Sequence, residues 1–219
     1  MLFLWSYSGP LYNKEFAGPH LGSAFVFKNI DFIPPLDGIP ANGGTDYQFD
    51  FTDFLDYTVY MKKKNFYLIL PDIRSCHNVG AMFRTADACG VTKLFLVGYT
   101  AQPPKIQIDK VSLGAEKWMP WEYRKDLKRL LGSLKKKGVV IVGLEKTEDS
   151  KQIADTMKQI KNNDIALIVG NEVDGVSDDI LTLCDHVVHI PMYGKKESLN
   201  VSIAAGIAMY EISRKSIKS

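Results

Sequence analysis

Five short apolar stretches limit what this chain can fold into. Phe66–Leu70, Lys93–Val97, Val139–Gly143, Ile165–Val169 and Val187–Ile190 are each four or five residues long. Strands this short and this continuously apolar need cover on both faces. The segments between them supply it. Val79–Cys89 sets Val79, Met82, Phe83, Ala86 and Cys89 on one helical face, and Gly90 comes next as a stop. Arg124–Lys137 reads as an amphipathic helix with a basic outer face, ended by Gly138. Ser150–Ile160 reads as a helix, and so does the stretch from Ser177, with Asp178 and Asp179 in its first turn, to about Cys184. Leu199–Ser213 is the last helix, and Ile106–Glu116, after Pro103-Pro104, is a loop with a short helix. Strands alternating with helices predict an α/β fold, a mainly parallel sheet with helices on both faces. Ligands bind such sheets beyond the carboxyl ends of the strands. Three polar clusters fall at such ends, around Asn78, Glu172 and Ser198.

The alternation begins near Met61, and residues 1–60 differ from the rest of the chain. They hold 14 of the 24 aromatic residues and five of the ten prolines, with no helical period. They carry two lysines and seven acids, a net charge of −5, whereas residues 61–219 carry 25 basic and 18 acidic residues, a net charge of +7. Residues 1–60 therefore read as an irregular N-terminal extension docked by its aromatics, or the working protein starts near Met61. Residues 61–219 read as one basic domain, suited to an RNA or phosphate partner. No apolar run approaches the roughly 18 residues that span a bilayer, and Met1–Tyr7 lacks the basic start of a signal peptide. Cys76, Cys89 and Cys184 form no CxxC pair, and the four histidines have no zinc spacing. The expectation is a cytoplasmic protein with reduced thiols, no metal and no membrane anchor.

The first cluster is Asn78-Val-Gly80-Ala-Met-Phe-Arg84-Thr85. Gly80 keeps the first helical turn small, and Asn78 is suited to cap the helix. Arg84 lies six residues on, so it projects from a different face. An arginine in an otherwise apolar helix needs an anion or a path to solvent, and its planar fork suits a phosphate. The second cluster, Gly170-Asn-Glu172-Val-Asp-Gly175, comes directly after a strand. Its glycine allows close backbone approach, yet it is neither GxGxxG nor a Walker A loop. The third runs Ile190-Pro-Met192-Tyr-Gly194-Lys195-Lys196-Glu-Ser198-Leu199-Asn200-Val-Ser202, a polar turn into a helix of small residues with Ser198 at its expected N-cap. Each cluster alone fits an ordinary cap or turn.

Together, in this order and spacing, the three resemble the motifs of the SpoU/TrmH branch of the SPOUT RNA methyltransferases. The resemblance covers roughly residues 64–214, with no departure at the motif positions. It implies a C-terminal deep trefoil knot, the SPOUT fold, although knots are otherwise nearly absent from proteins. It implies a homodimer, S-adenosyl-L-methionine as cofactor, and methyl transfer to a ribose 2′-hydroxyl of tRNA or rRNA. Arg84 then becomes the central catalytic residue, with Asn78, Ser198, Asn200 and Glu172 around it. The cofactor would be held by Leu167, Val169, Gly170, Ile190, Met192, Ser198, Leu199 and Asn200. Lys110, Lys117, Arg124, Lys128, Lys195 and Lys196, with Arg84, would meet the RNA.

Two roles are open for Arg84. It is a general base, or it grips the neighbouring phosphate and polarises the hydroxyl while that phosphate takes the proton. A guanidinium holds its proton very tightly, which favours the second. The competing class is a non-catalytic RNA-binding or assembly protein that keeps the knotted fold. Intact Arg84, Ser198 and Asn200 argue against it. A dinucleotide-dependent oxidoreductase lacks its glycine fingerprint here.

Overall fold

Alternate residues along each central strand enter opposite cores. Leu68, Leu70, Leu94, Leu96, Leu167 and Val169 pack into one cluster. Ile69, Phe95, Val97, Ala166 and Ile168 pack into the other. A computed structural model of the protein describes residues 64–160 and 162–216, all within the unit Lys63–Ser219. The expected N-terminal extension, residues 1–60, lies outside the described residues.

The strands are β1 (Phe66–Pro71), β2 (Lys93–Val97), β3 (Trp121–Arg124), β4 (Val140–Leu144), β5 (Lys151–Gln152), β6 (Ile165–Val169) and β7 (His186–His189). They form one sheet in the order β3-β2-β1-β6-β4-β7-β5, and every pairing is parallel. Register is fixed in the centre, where Leu68 opposes Leu167 and Leu167 opposes Val142. The two late strands are inserted between earlier ones: β6 enters between β1 and β4, and β7 between β4 and β5.

The helices are α1 (Cys76–Ala88), α2 (Ile106–Ser112), α3 (Ala115–Trp118), α4 (Leu127–Lys135), α5 (Ile153–Ile160), α6 (Asp178–Leu181) and α7 (Val201–Ser216). One face of the sheet is covered by α1, α2, α5 and α7, through Val79, Phe83, Ile108, Met157, Ala205 and Met209 among others. The other face is covered by α4 and α6, through Leu130, Leu131, Leu134 and Ile180. The doubly covered parallel sheet read from the sequence is present.

Local boundaries differ from the expectation in several places. α1 starts at Cys76 and its cap is Ser75, whose hydroxyl accepts from Asn78 N at 3.2 Å, so Asn78 lies in the first turn and does not cap. Arg124 belongs to an edge strand, β3, and not to a helix. The next helix begins only at Leu127, behind Asp126, whose carboxylate accepts from Arg129 N at 3.0 Å. The segment Ile106–Glu116 carries α2, and its break from α3 falls at Leu113 and Gly114, both at positive φ. In the buried join, the Ser112 hydroxyl donates to the Glu116 carboxylate. The three cysteines are free. Burial, with Asp185 beside it, pushes the Cys184 thiol up to about 11.

α1 and α2 approach closely because Gly80 has no side chain. A Cβ there would lie 2.7 Å from the Ile108 carbonyl oxygen and 3.0 Å from the Val111 Cβ. Gly132 in α4 has nothing within 4 Å of its Cβ position. The same substitution should therefore act with opposite signs. Gly132→Ala should gain about 0.5–1 kcal/mol from helix propensity. Gly80→Ala should lower stability despite that gain, because backbone must move. Urea denaturation of both variants measures the contrast.

Candidate active site at the carboxyl edge of the sheet

The loops after β1, β4, β6 and β7 and the start of α7 meet at the carboxyl edge of the sheet. Between the last four lies a cleft of about 480 Å³. Its walls mix Leu144, Val169, Ile190, Met192, Leu199 and Val201 with the polar Glu145, Glu172, Ser198 and Asn200. Gly170 lets the loop after β6 fold back on itself, since a Cβ there would lie 2.5 Å from the Gly175 carbonyl carbon. Asn171 closes that loop by accepting from Val173 N at 2.9 Å and Asp174 N at 2.8 Å.

A chain of hydrogen bonds joins the three clusters at the cleft mouth. Asn78 Nδ2 donates to Glu172 Oε1 at 2.9 Å, and Asn200 Nδ2 donates to Asn78 Oδ1 at 3.2 Å. Glu172 also accepts from the backbone N–H groups of Arg74 and Ser75, each at 3.2 Å. These donors stand at the amino end of α1, where a carboxylate is favoured. Asn200 accepts in turn from Ser202 N at 2.9 Å and Ser202 Oγ at 2.7 Å. Asn200, not Ser198, thus caps α7, and Ser198 is left exposed on the cleft wall.

The sequence-predicted residues divide into three groups. Val169, Gly170, Glu172, Ile190, Met192, Ser198, Leu199 and Asn200 line the cleft. Asn78 is held at its mouth through Glu172 and Asn200. Leu167 does not reach the cleft: it lies mid-strand, fully buried in the core. Arg84 is exposed on α1, about 9 Å along the helix axis from Asn78, and does not line the cleft. Lys110, Lys117, Lys195 and Lys196 are exposed, while Lys128 pairs with Asp179 at 2.8 Å and Arg124 with Glu122.

Sequence reasoning misses Glu145. It lies one residue beyond β4, accepts from Val176 N at 2.9 Å, and so ties the loop after β6 to the end of β4. Its signal is the same strand-end rule that singles out the three clusters, applied to one more strand. His189 also lines the cleft, with Nδ1 2.9 Å from Ser150 Oγ.

Fold and cleft define an α/β domain built to hold a ligand at the carboxyl edge of a parallel sheet. The chain belongs to the SpoU rRNA methylase family, whose model matches residues 65–210. It is 35% identical over 154 residues to a tRNA (guanosine(18)-2'-O)-methyltransferase of Aquifex aeolicus, covering 70% of this chain and 71% of that one. It is 34% identical over 154 residues to the 23S rRNA (guanosine-2'-O-)-methyltransferase RlmB of Vibrio vulnificus, covering 69% of this chain and 60% of that one. Among solved structures, the A. aeolicus TrmH/SpoU tRNA modifying enzyme matches with a TM-score of 0.63 and 30% identity, over 74% of this chain and 84% of that chain. The AdoMet-bound rRNA methyltransferase from Sinorhizobium meliloti matches with a TM-score of 0.66 and 25% identity, over 72% of this chain and 59% of that chain.

Burial pushes the Glu172 carboxyl up, but the bonds from Asn78 and from the Arg74 and Ser75 backbone outweigh it and hold the group below its ordinary value. A depressed carboxyl contributes stability above its unfolded-state pKa, about 4.3, and that contribution is lost as pH falls through the folded value. Urea midpoints measured from pH 6 down to pH 3 should therefore fall less steeply in Glu172→Gln than in the parent protein.

Proposed function

We propose that this protein is an S-adenosylmethionine-dependent methyltransferase acting on a ribose 2′-hydroxyl of tRNA or rRNA. The observation that carries this is the Glu172–Asn78–Asn200 chain, which brings three sequence-distant motifs to the mouth of one cleft. The cleft suits the cofactor. Its volume lies in the range of small-molecule pockets, its apolar walls suit an adenine face, and Glu145 and Glu172 bring carboxylates to the edge of a cationic ligand. When bound, S-adenosylmethionine supplies a methyl group already activated by a sulfonium.

The protein then has to position rather than activate. Val169, Gly170, Ile190, Met192 and Leu199 hold the nucleoside between loop backbone and apolar walls. Asn200, fixed by Asn78 and Ser202, sets the start of α7 and so the place of Ser198, whose hydroxyl faces the ribose. Arg84 grips the phosphate beside the target ribose and polarises the 2′-hydroxyl. Arg84 keeps its own proton, so the hydroxyl proton would pass to that phosphate or to solvent as the 2′ oxygen takes the methyl group and the cofactor's sulfur is left as a neutral thioether. Lys110, Lys117, Arg124, Lys128, Lys195 and Lys196 hold the RNA backbone.

The homodimer belongs to this reading, with Arg84 serving a site completed by the second copy. Its support is an apolar stripe on α7: Ile203 is 55%, Ile207 43% and Tyr210 66% exposed, at helical spacing. The trefoil knot is proposed as well, supported by the insertion of β6 and β7 between strands laid down earlier. The described residues include no helix long and apolar enough to cross a membrane, and we place the enzyme in the cytoplasm with its RNA.

Two measurements test the reading. Arg84→Ala should lower methyl transfer to cellular RNA by about 100-fold or more, while calorimetric binding of S-adenosylmethionine is unchanged. Near-normal turnover would remove Arg84 from the mechanism, and no cofactor binding by the parent protein would leave a non-catalytic RNA-binding module. Ile207→Glu should shift the protein to monomer in sedimentation, because a charge on the stripe must then be desolvated to pair. An unchanged dimer would move the interface elsewhere.

A further inference from the structure

Tyr99 stands just beyond β2 with 55% of its surface exposed, yet the backbone around it is tied down. Its N–H donates to Asp72 Oδ1 at 3.0 Å. Asp72 N donates to the Val97 carbonyl at 3.1 Å, and Gly98 N to that of Arg124 at 3.1 Å. The buried Thr100 hydroxyl donates to the Leu70 carbonyl at 2.7 Å and accepts from Ile73 N at 2.9 Å. Asp72 adopts a φ of 56°, a conformation that is uncommon for a residue with a side chain. Such backbone persists where its surroundings over-determine it, and it clusters at functional sites. Here the outlier aims a carboxylate at the Tyr99 N–H and locks the ends of β1 and β2 together.

The ring faces an arginine side chain. The Arg74 guanidinium lies over it, 5.9 Å from the centroid. Arg74 also donates its backbone N–H to Glu172, so the pair is one residue away from the chain at the cleft mouth. Strand order puts these features in a line along the carboxyl edge. The cleft lies at β7, β4 and β6, the Glu172–Asn78 contact spans β6 and β1, and Arg74 and Tyr99 come after β1 and β2. Beyond them stand the exposed Arg124, which ends β3, and Lys125, which follows it. Two strand spacings, about 10 Å, separate β6 from β2.

We infer that Tyr99 and Arg74 form a stacking platform for an unpaired RNA base, on a nucleotide next to the one whose ribose lies at the cleft. The inference rests on the methyl-transfer reading for its substrate. The platform chemistry is that of single-strand recognition: an aromatic ring offers a face that any base can cover, and a guanidinium offers both a plane and a positive charge to the adjoining phosphate. A protein partner would require an apolar surface around the ring, whereas Arg74 lies over it, the Asp72 carboxylate bonds its backbone N–H, and Arg124 and Lys125 stand at the end of the next strand. With the backbone around Tyr99 held, only the ring's own two torsions remain to be fixed when a base stacks on it.

The probe is an unstructured hexaribonucleotide with a central 2-aminopurine, titrated into the full-length protein and followed by fluorescence. The parent protein and Tyr99→Phe should quench the probe and bind it equally well. Tyr99→Ala should bind about tenfold more weakly and lose the quenching, with an unchanged circular dichroism spectrum and unchanged S-adenosylmethionine binding. The platform is overturned if Tyr99→Ala binds and quenches like the parent, if the parent leaves the probe unquenched, or if a duplex of the same sequence binds as tightly as the single strand. Failure of the parent to bind S-adenosylmethionine would sink the methyl-transfer reading alone, because the quenching signal decides the platform independently.

Discussion

One carboxylate holds the site together. Glu172 takes a side-chain bond from Asn78 and backbone bonds from Arg74 and Ser75, across 94 to 98 positions of sequence. Asn78 passes the connection to Asn200, another 122 positions away in the chain. Neither asparagine is free to turn, because the amide of each is engaged at its oxygen and at its nitrogen. An amide used at both ends transmits position, since rotating it breaks two bonds at once. Replacing any one member leaves its neighbours to be satisfied by water. The loops meet in one arrangement because the polar groups have one mutually satisfied solution.

That arrangement needs a rigid base, and the sheet supplies it. β6 is buried along its whole length and carries Glu172 three residues past its end. It is flanked by β1, which leads into Ser75 and Asn78, and by β4, which leads into Glu145. Glu145 does for the far side of the Gly170–Gly175 loop what Glu172 does for the near side, by accepting from Val176 N. The loop is thus pinned by one carboxylate beneath it and by its own carboxylate reaching out. α7 also packs against α1, where the Cβ position of Gly206 lies at ordinary contact distance, 3.5 Å, from Thr85 Cγ2. The helix carrying Asn200 and the helix carrying Asn78 are therefore packed together as well as bonded.

The sheet is legible in the sequence because Ile165–Val169 and Lys93–Val97 are apolar at every or nearly every position, a pattern that only two-sided burial explains. β3 and β5 are not legible. Trp121–Arg124 alternates weakly and is half exposed at an edge, and Lys151–Gln152 is two exposed polar residues whose strand geometry comes from pairing with β7. Tertiary pairing, not local preference, makes them strands. The cap of α1 falls three residues before the expected one because Ser75 and Asn78 are both good caps, and only the path of the chain from Pro71 decides between them. The cleft residues near strand ends are readable from the strand-end rule. Leu167 lies one layer deeper than a cofactor contact requires, since spacing along a strand does not say where the backbone emerges from the core. Arg84 shows the remaining limit: a motif names the residue, but one copy of the chain does not bring it to the cleft.

The basic charge of this domain is also less simple than a count suggests. Lys128 and Lys135 are paired with Asp179 and Asp185, each at 2.8 Å, and Arg124 is paired with Glu122. All these groups are substantially exposed, and exposed pairs of this kind are worth at most about 1 kcal/mol. A polyanion can therefore displace the carboxylates, releasing counterions as it does so. The acids then tune the field rather than cancel it. Asp179 and Glu122 weaken attraction on the β3–α4 flank, whereas Lys110 and Lys117 on α2 and α3 carry no such partner among the described residues. Lys125, Arg129, Lys136 and Lys137 on that flank are exposed and carry no such partner among the described residues either, so the lysine-rich flank keeps its pull on a phosphate backbone after its pairs are counted, and the two lysines of α2 and α3 add a second, smaller one.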